Sequence, residues 1–85
     1  MSKLPIVSGR QLVEFMRGYG WAVARQRGSH VSMVKDGYRT VVIPDKDELG
    51  PHVVLANLKT AKISKREFER YFQKGKRNKK KPATS

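Results

Sequence analysis

Apolar residues along the chain fall first into a helical period and then into a strand period. Leu12, Phe15, Met16 and Tyr19 recur at i, i+3, i+4 and i+7, one stripe of a helix. Ser8 with Gln11 three residues on makes a capping-box pattern, and Gly18 and Gly20 supply a stop, so a helix is expected over 9–19. From Trp21 to Gln26 the pattern alternates, with Trp21 and Val23 on one side and Ala22 and Ala24 on the other. Arg27-Gly28-Ser29 breaks the alternation and reads as a connection. His30 to Lys35 and Tyr38 to Ile43 follow as second and third strands, and Pro44 ends the third. Asp36-Gly37 between them predicts a two-residue type I′ turn. That turn sets a register in which Lys35 faces Tyr38, Met33 faces Thr40 and Val31 faces Val42. Val31, Met33 and Val42 assign this face to the core and leave His30, Ser32 and Arg39 towards solvent. Val34, Val41 and Ile43 then also fall on the open face, which is the weak point of the assignment.

Asp45 to Gly50 is a polar loop, and Pro51 suits the first position of a second helix. Val54, Leu55, Leu58 and Ala61 make its stripe, ending near Lys62. Ser64 and Glu67 form another capping-box pattern ahead of Phe68, Tyr71 and Phe72, so a short third helix is expected over about 65–72. The predicted order is helix, three-stranded meander, helix, with a short C-terminal helix appended. This is an α+β fold with two helices on one face of an antiparallel sheet, the α-β-β-β-α order of the double-stranded-RNA-binding domain (dsRBD).

With 85 residues, one domain is expected, over 1–73. Beyond it, residues 74–85 carry six Lys/Arg and no acid, and are expected to be a disordered basic tail. The formal net charge is +12. The tail accounts for half of it, because the other 73 residues carry thirteen Lys/Arg against seven Asp/Glu. A folded body that is basic without its tail points to a polyanionic partner, nucleic acid first. The absence of cysteine excludes disulfide staples, and the histidines and carboxylates show no zinc-like spacing, so no metal or other cofactor is expected. The longest apolar run, Val41-Val42-Ile43, is strand-sized; neither a signal peptide nor a membrane span is expected, and a cytoplasmic location is.

His30 is the first candidate for chemistry. It follows Gly28-Ser29, where a glycine allows a tight backbone turn, and it opens a strand. Imidazole titrates near neutral pH and can take or give a proton. RNA cleavage asks for little more: a base removes the 2′-OH proton, the oxygen attacks the adjacent phosphorus, and cations stabilise the added charge. Arg25, Arg27 and Arg39 are expected near His30 in the sheet, and Lys35, Lys59 and Lys62 add to the RNA-binding candidates. On spacing alone the ordinary reading of His30, a surface histidine at a strand end, is the commoner one. His52, just after Pro51, is a second acid/base candidate or a ring lying over the helix end. Asp45, Asp47 and Glu48 are a possible divalent-metal loop or, more simply, a solvated one. Tyr19, Trp21 and Tyr38 are candidates for base stacking, with Tyr19 and Trp21 better placed for the core.

Arg25-Gln26-Arg27-Gly28-Ser29-His30 resembles the "RQRGSH" signature of HicA toxins. Ser8-Gly9-Arg10-Gln11-Leu12 is similar to that family's "SGKEL" helix start, and Leu58-Lys59-Thr60-Ala61-Lys62-Ile63-Ser64 to its "LKQAGIS" ending. The Asp36-Gly37 hairpin, Val42-Ile43-Pro44 and Glu48-Leu49-Gly50-Pro51 follow the family order, so the resemblance runs over roughly 4–72. It implies a dsRBD-like fold and a metal-independent endoribonuclease acting on mRNA. It also implies a HicB-like antitoxin that covers the active site, and it puts the catalytic histidine at His30, supported by Gly28 and Ser29. The chain departs from the pattern in three places. Asp45-Lys46-Asp47 stands where many members carry a second histidine, His52 where many have glycine, and Lys62 where the family has glycine. The alternative function is a non-catalytic, double-stranded-RNA-binding module, which charge and element order suit equally. A DNA-binding role is weaker, since Asn57 is the one candidate base-reading side chain on the second helix.

Overall fold

The computed structural model describes residues 4–72. The basic segment 74–85 and the disorder expected of it lie outside the described residues. The order is α1 (Gly9–Arg17), β1 (Ala22–Arg27), β2 (His30–Val34), β3 (Val41–Pro44) and α2 (Pro51–Ala61), followed by α3 over residues 65–72. The three strands form one antiparallel sheet in the order β1-β2-β3, so the fold is the dsRBD-like α+β arrangement. No described helix is long and apolar enough to cross a membrane.

The helix starts follow the sequence signals closely. At α1 both halves of the capping box form: the Gln11 amide donates to Ser8 Oγ at 3.1 Å, and the Ser8 amide donates to Gln11 Oε1 at 2.9 Å. At α3 only one half forms. The Glu67 amide donates to Ser64 Oγ at 3.1 Å, while the Glu67 carboxylate accepts from the Tyr19 hydroxyl. α1 closes at Arg17, two residues before the expected end. The Tyr19 and Gly20 amides turn back to Met16 O and Arg17 O, and Gly20 takes a φ of +93°. α2 ends on Lys62, which adopts the left-handed conformation at φ +57°.

The β2–β3 connection differs from expectation. Val31 pairs with Ile43, Ser32 with Val42 and Met33 with Val41, one residue out of the expected register. The cause lies in the turn. The Tyr38 amide donates to Lys35 O at 3.0 Å with Gly37 at φ +85°, but Asp36 has no positive φ, so type I′ is not formed. Positive φ at the third turn residue alone is the type II pattern, and β3 starts only at Val41. A one-residue slip exchanges the two faces of a strand. Val41 and Ile43 are therefore buried, and Val42, expected in the core, is 47% exposed. The stability consequence is direct: Ile43→Val should cost about 1 kcal/mol and Val42→Thr less than about 0.5 kcal/mol by urea unfolding. The reverse ranking would restore the expected register.

Two further corrections concern α2 and β1. The buried stripe of α2 is Val54, Asn57, Leu58 and Ala61, so Leu55 is 41% exposed and Asn57 is buried rather than offered to a base. β1 is an edge strand in which every residue is exposed, and an irregularity between Val23 and Arg25 breaks the expected alternation. The core lies between the sheet and the helices. Val31, Met33, Val41 and Ile43 meet Leu12, Phe15 and Met16 of α1 and Val54, Leu58 and Ala61 of α2.

Phe15 is the hub that attaches α3. Its ring centroid lies 5.4 Å from Phe68, 5.0 Å from Tyr71 and 5.8 Å from Phe72. Tyr19, in the turn that follows α1, meets Glu67 near the start of α3, so α3 runs back antiparallel to α1. The Tyr19 phenol pKa is raised, first by its hydrogen bond to Glu67, then by burial and by the Glu67 charge. A folded-state pKa above the unfolded one contributes stability that is present below the ordinary value of 10.0 and is lost as pH climbs through the folded value. The alkaline limb of a pH–stability curve should therefore steepen above pH 10 in the wild type and flatten in Tyr19→Phe. Identical limbs would remove the Tyr19–Glu67 contribution.

Candidate active site at the hairpin tip

Gly28 and Ser29 form a two-residue hairpin loop closed by the pairing of Arg27 with His30. Gly28 takes φ +57° and Ser29 has no positive φ, the type II′ pattern that asks for glycine first. A Cβ at Gly28 would meet nothing within 4 Å, so its requirement is conformational rather than steric. This turn sets His30 as the first residue of β2, exposed, directly opposite Arg27 on β1 and opposite Pro44 on β3. Arg25 pairs with Ser32, two places along β2 from His30, so Arg25 and Arg27 share the open face of the sheet with it. The open face is the one not covered by α1 and α2.

The tip is braced from the other side. The Asp45 amide donates to Ser29 O at 2.7 Å, and the Gly9 amide donates to Lys46 O at 2.9 Å. Gly9 packs so tightly here that a Cβ would lie 2.0 Å from Pro44 O. The Leu49 amide completes the brace by donating to Val7 O at 2.9 Å. These bonds bring the N-termini of α1 and α2 to the His30 end of the sheet. Helix N-termini carry partial positive charge, which favours anions at this end. Asp45, Asp47 and Glu48 are exposed in the same loop and oppose that field. Among the described residues no group of three or more His, Cys, Asp or Glu is gathered as a metal site would require.

His52 lies in the first turn of α2, with its ring folded back over Gly50: a Cβ on that glycine would sit 3.1 Å from the ring Cε1. The ring thus lies over the helix end, and it shares an end of the fold with His30. Arg39 does not. It precedes β3 in the loop at the opposite end of the sheet, far in register from the His30–Pro44 pair. Lys35 and Lys62 are also at that opposite end, where both ammonium groups lie against the Tyr38 ring. Lys59 is exposed in the last turn of α2. Trp21 is buried, Tyr19 and Tyr38 are half-buried, and Trp21 stacks edge-on to Tyr38. The brace from Gly9 to Pro44 was not readable in the sequence. Its one signal is a glycine at the first turn of a helix, where alanine is the better helix former.

No curated protein and no solved structure matches the chain. The model of one family, described as HicA toxin of bacterial toxin-antitoxin, matches residues 9–63. That stretch takes in both helix N-termini, the whole sheet and the hairpin tip with His30. The chain belongs to the HicA toxin family, and it is the toxin of a toxin–antitoxin pair whose partner is an antitoxin.

Proposed function

We propose that this toxin is a metal-independent endoribonuclease that cuts mRNA, with His30 as its general base and acid. The observation that carries the reading is the tip itself: an exposed histidine paired across the strands with an arginine, next to a two-residue turn. His30 takes the proton from a ribose 2′-OH. The freed oxygen attacks the adjacent phosphorus, and the bond to the 5′-oxygen breaks. The imidazolium then returns its proton to that leaving oxygen, so the histidine ends as it began. Arg27, with Arg25 beside it, stabilises the negative charge on the phosphoryl oxygens through forked N–H donors. The turn backbone of Gly28 and Ser29 holds His30 in place, and His52, at the α2 end, is the candidate second acid/base group.

The substrate places the activity in the cytoplasm, and a HicB-like antitoxin neutralises it by covering the His30 end. Residues 1–73 form the catalytic domain in this reading, and 74–85 add cations that attract RNA without reading its sequence. The test is incubation of purified protein with a long single-stranded RNA in excess EDTA, followed on denaturing and native gels. Shortened products are expected. Intact RNA that nonetheless shifts on the native gel would replace the nuclease with a non-catalytic RNA-binding module.

A further inference from the structure

The end of the fold remote from His30 holds a second concentration of positive charge. The Lys35 ammonium lies 5.0 Å from the Tyr38 ring centroid and the Lys62 ammonium 6.0 Å from it. Both ammonium groups thus lie within cation–π range of one phenol ring. Lys35 is held in place, because its ammonium also donates to Tyr19 O at 2.7 Å. That acceptor is a neutral carbonyl and leaves the charge uncancelled. Tyr38 is fixed in turn by Trp21, whose ring centroid is 5.5 Å away.

Lys62 adds an independent observation. It is the single non-glycine residue with positive φ among the described residues, at +57°. Glycine would fill that position without strain, whereas a residue with a Cβ carries a cost there. Strain kept at a surface position points to a use for the side chain. Lys59, Lys65 and Arg66 are exposed along the same end of α2 and the start of α3. Several exposed cations thus flank Lys62 along the chain, and a run of cations suits a polymer with regularly spaced phosphates better than a single anion.

We propose that Lys35, Tyr38 and Lys62 form a phosphodiester-binding subsite, which holds the RNA backbone at a point remote from the bond being cut. This rests on the reading of the chain as an RNA-acting toxin, but it concerns binding and not cleavage. The subsite contributes charge and position, and no base recognition.

The experiment separates the two. The full-length wild type, Lys62→Gly and Lys62→Arg are titrated with a single-stranded RNA carrying 2′-O-methyl groups throughout. No 2′-OH is available for attack, so binding is measured whether or not the protein is a nuclease. Lys62→Gly should raise Tm by about 4 °C, because glycine relieves the left-handed strain. The same variant should bind RNA about fivefold more weakly at 0.1 M salt, with the slope of log K against log salt reduced by about 0.7. Lys62→Arg should keep the wild-type slope. An unchanged slope in Lys62→Gly would overturn the subsite. So would a lower Tm together with weaker binding, which would make Lys62 a structural residue. Unchanged RNA binding with weakened capture of the purified antitoxin would assign the patch to the protein partner and overturn the proposal as well.

Discussion

His30→Ala should lower the rate of RNA cleavage by a factor of about 10² to 10⁴ while leaving the fold in place. General acid–base catalysis by a positioned side chain contributes acceleration of that order, equal to about 3–5 kcal/mol of barrier. The structural cost should be small, because His30 is exposed and its pairing with Arg27 and Pro44 is made by backbone. Unfolding free energy should therefore stay within about 0.5 kcal/mol of wild type. Single-turnover rates on one defined RNA, with urea midpoints on the same preparations, give both numbers. RNA affinity should fall only a few-fold, since Arg25, Arg27 and the remaining cations stay in place. A variant that cuts at the wild-type rate would show that His30 is not the acid–base residue. It would leave the tip as a binding element.

Gly9→Ala carries the largest expected cost to stability, and it opposes helix propensity. In an isolated helix the change would help by about 1 kcal/mol. Here the new methyl would lie 2.0 Å from Pro44 O and 3.0 Å from the Pro44 carbonyl carbon. The obstacle is backbone, and that backbone is tied down by the Gly9–Lys46 and Asp45–Ser29 bonds. Relief would require α1 to move off β3 and break at least one of them. We expect a loss of about 3 kcal/mol or more, from overpacking and a forfeited hydrogen bond together. Chemical denaturation monitored by Trp21 fluorescence measures it. A midpoint at or above the wild type would mean that α1 does not press on Pro44 in solution. The same strand end carries the Asp45–Ser29 bond, so the variant should also loosen the hairpin tip beneath His30.

Element order was legible because each helix and strand carries its own period and punctuation. Ser8, Pro51 and Ser64 mark three helix starts, and Gly28-Ser29 marks the first hairpin. Register was not legible in the second hairpin. Asp36-Gly37 signals a turn, but the turn type depends on whether Asp36 itself adopts positive φ, and it does not. Val41, Val42 and Ile43 are all apolar, so composition could not say which face they present. In the candidate site, the closeness of Arg25, Arg27 and His30 followed from the first hairpin alone. Arg39 was grouped with them although even the expected pairing set it opposite Val34, four residues from His30, and it lies before β3 begins at Val41. Asn57 and Leu55 exchanged roles because they flank the shared stripe of Val54, Leu58 and Ala61 on opposite sides, and a small rotation of α2 decides which flank is covered. The Phe15 cluster and the Tyr38 lysines needed the tertiary fold, because each joins segments separated by twenty or more residues.

The attachment of α3 has a consequence for where this molecule begins and ends as a folding entity. The stretch shared with the family closes at Ile63, yet the Phe15 ring is 1% exposed because helix 65–72 covers it. Uncovering a ring of that size forfeits about 1.5–3 kcal/mol, a large share of the margin by which so small a domain stays folded. A chain cut after Ile63 would keep the whole matched stretch and still leave this ring open to water.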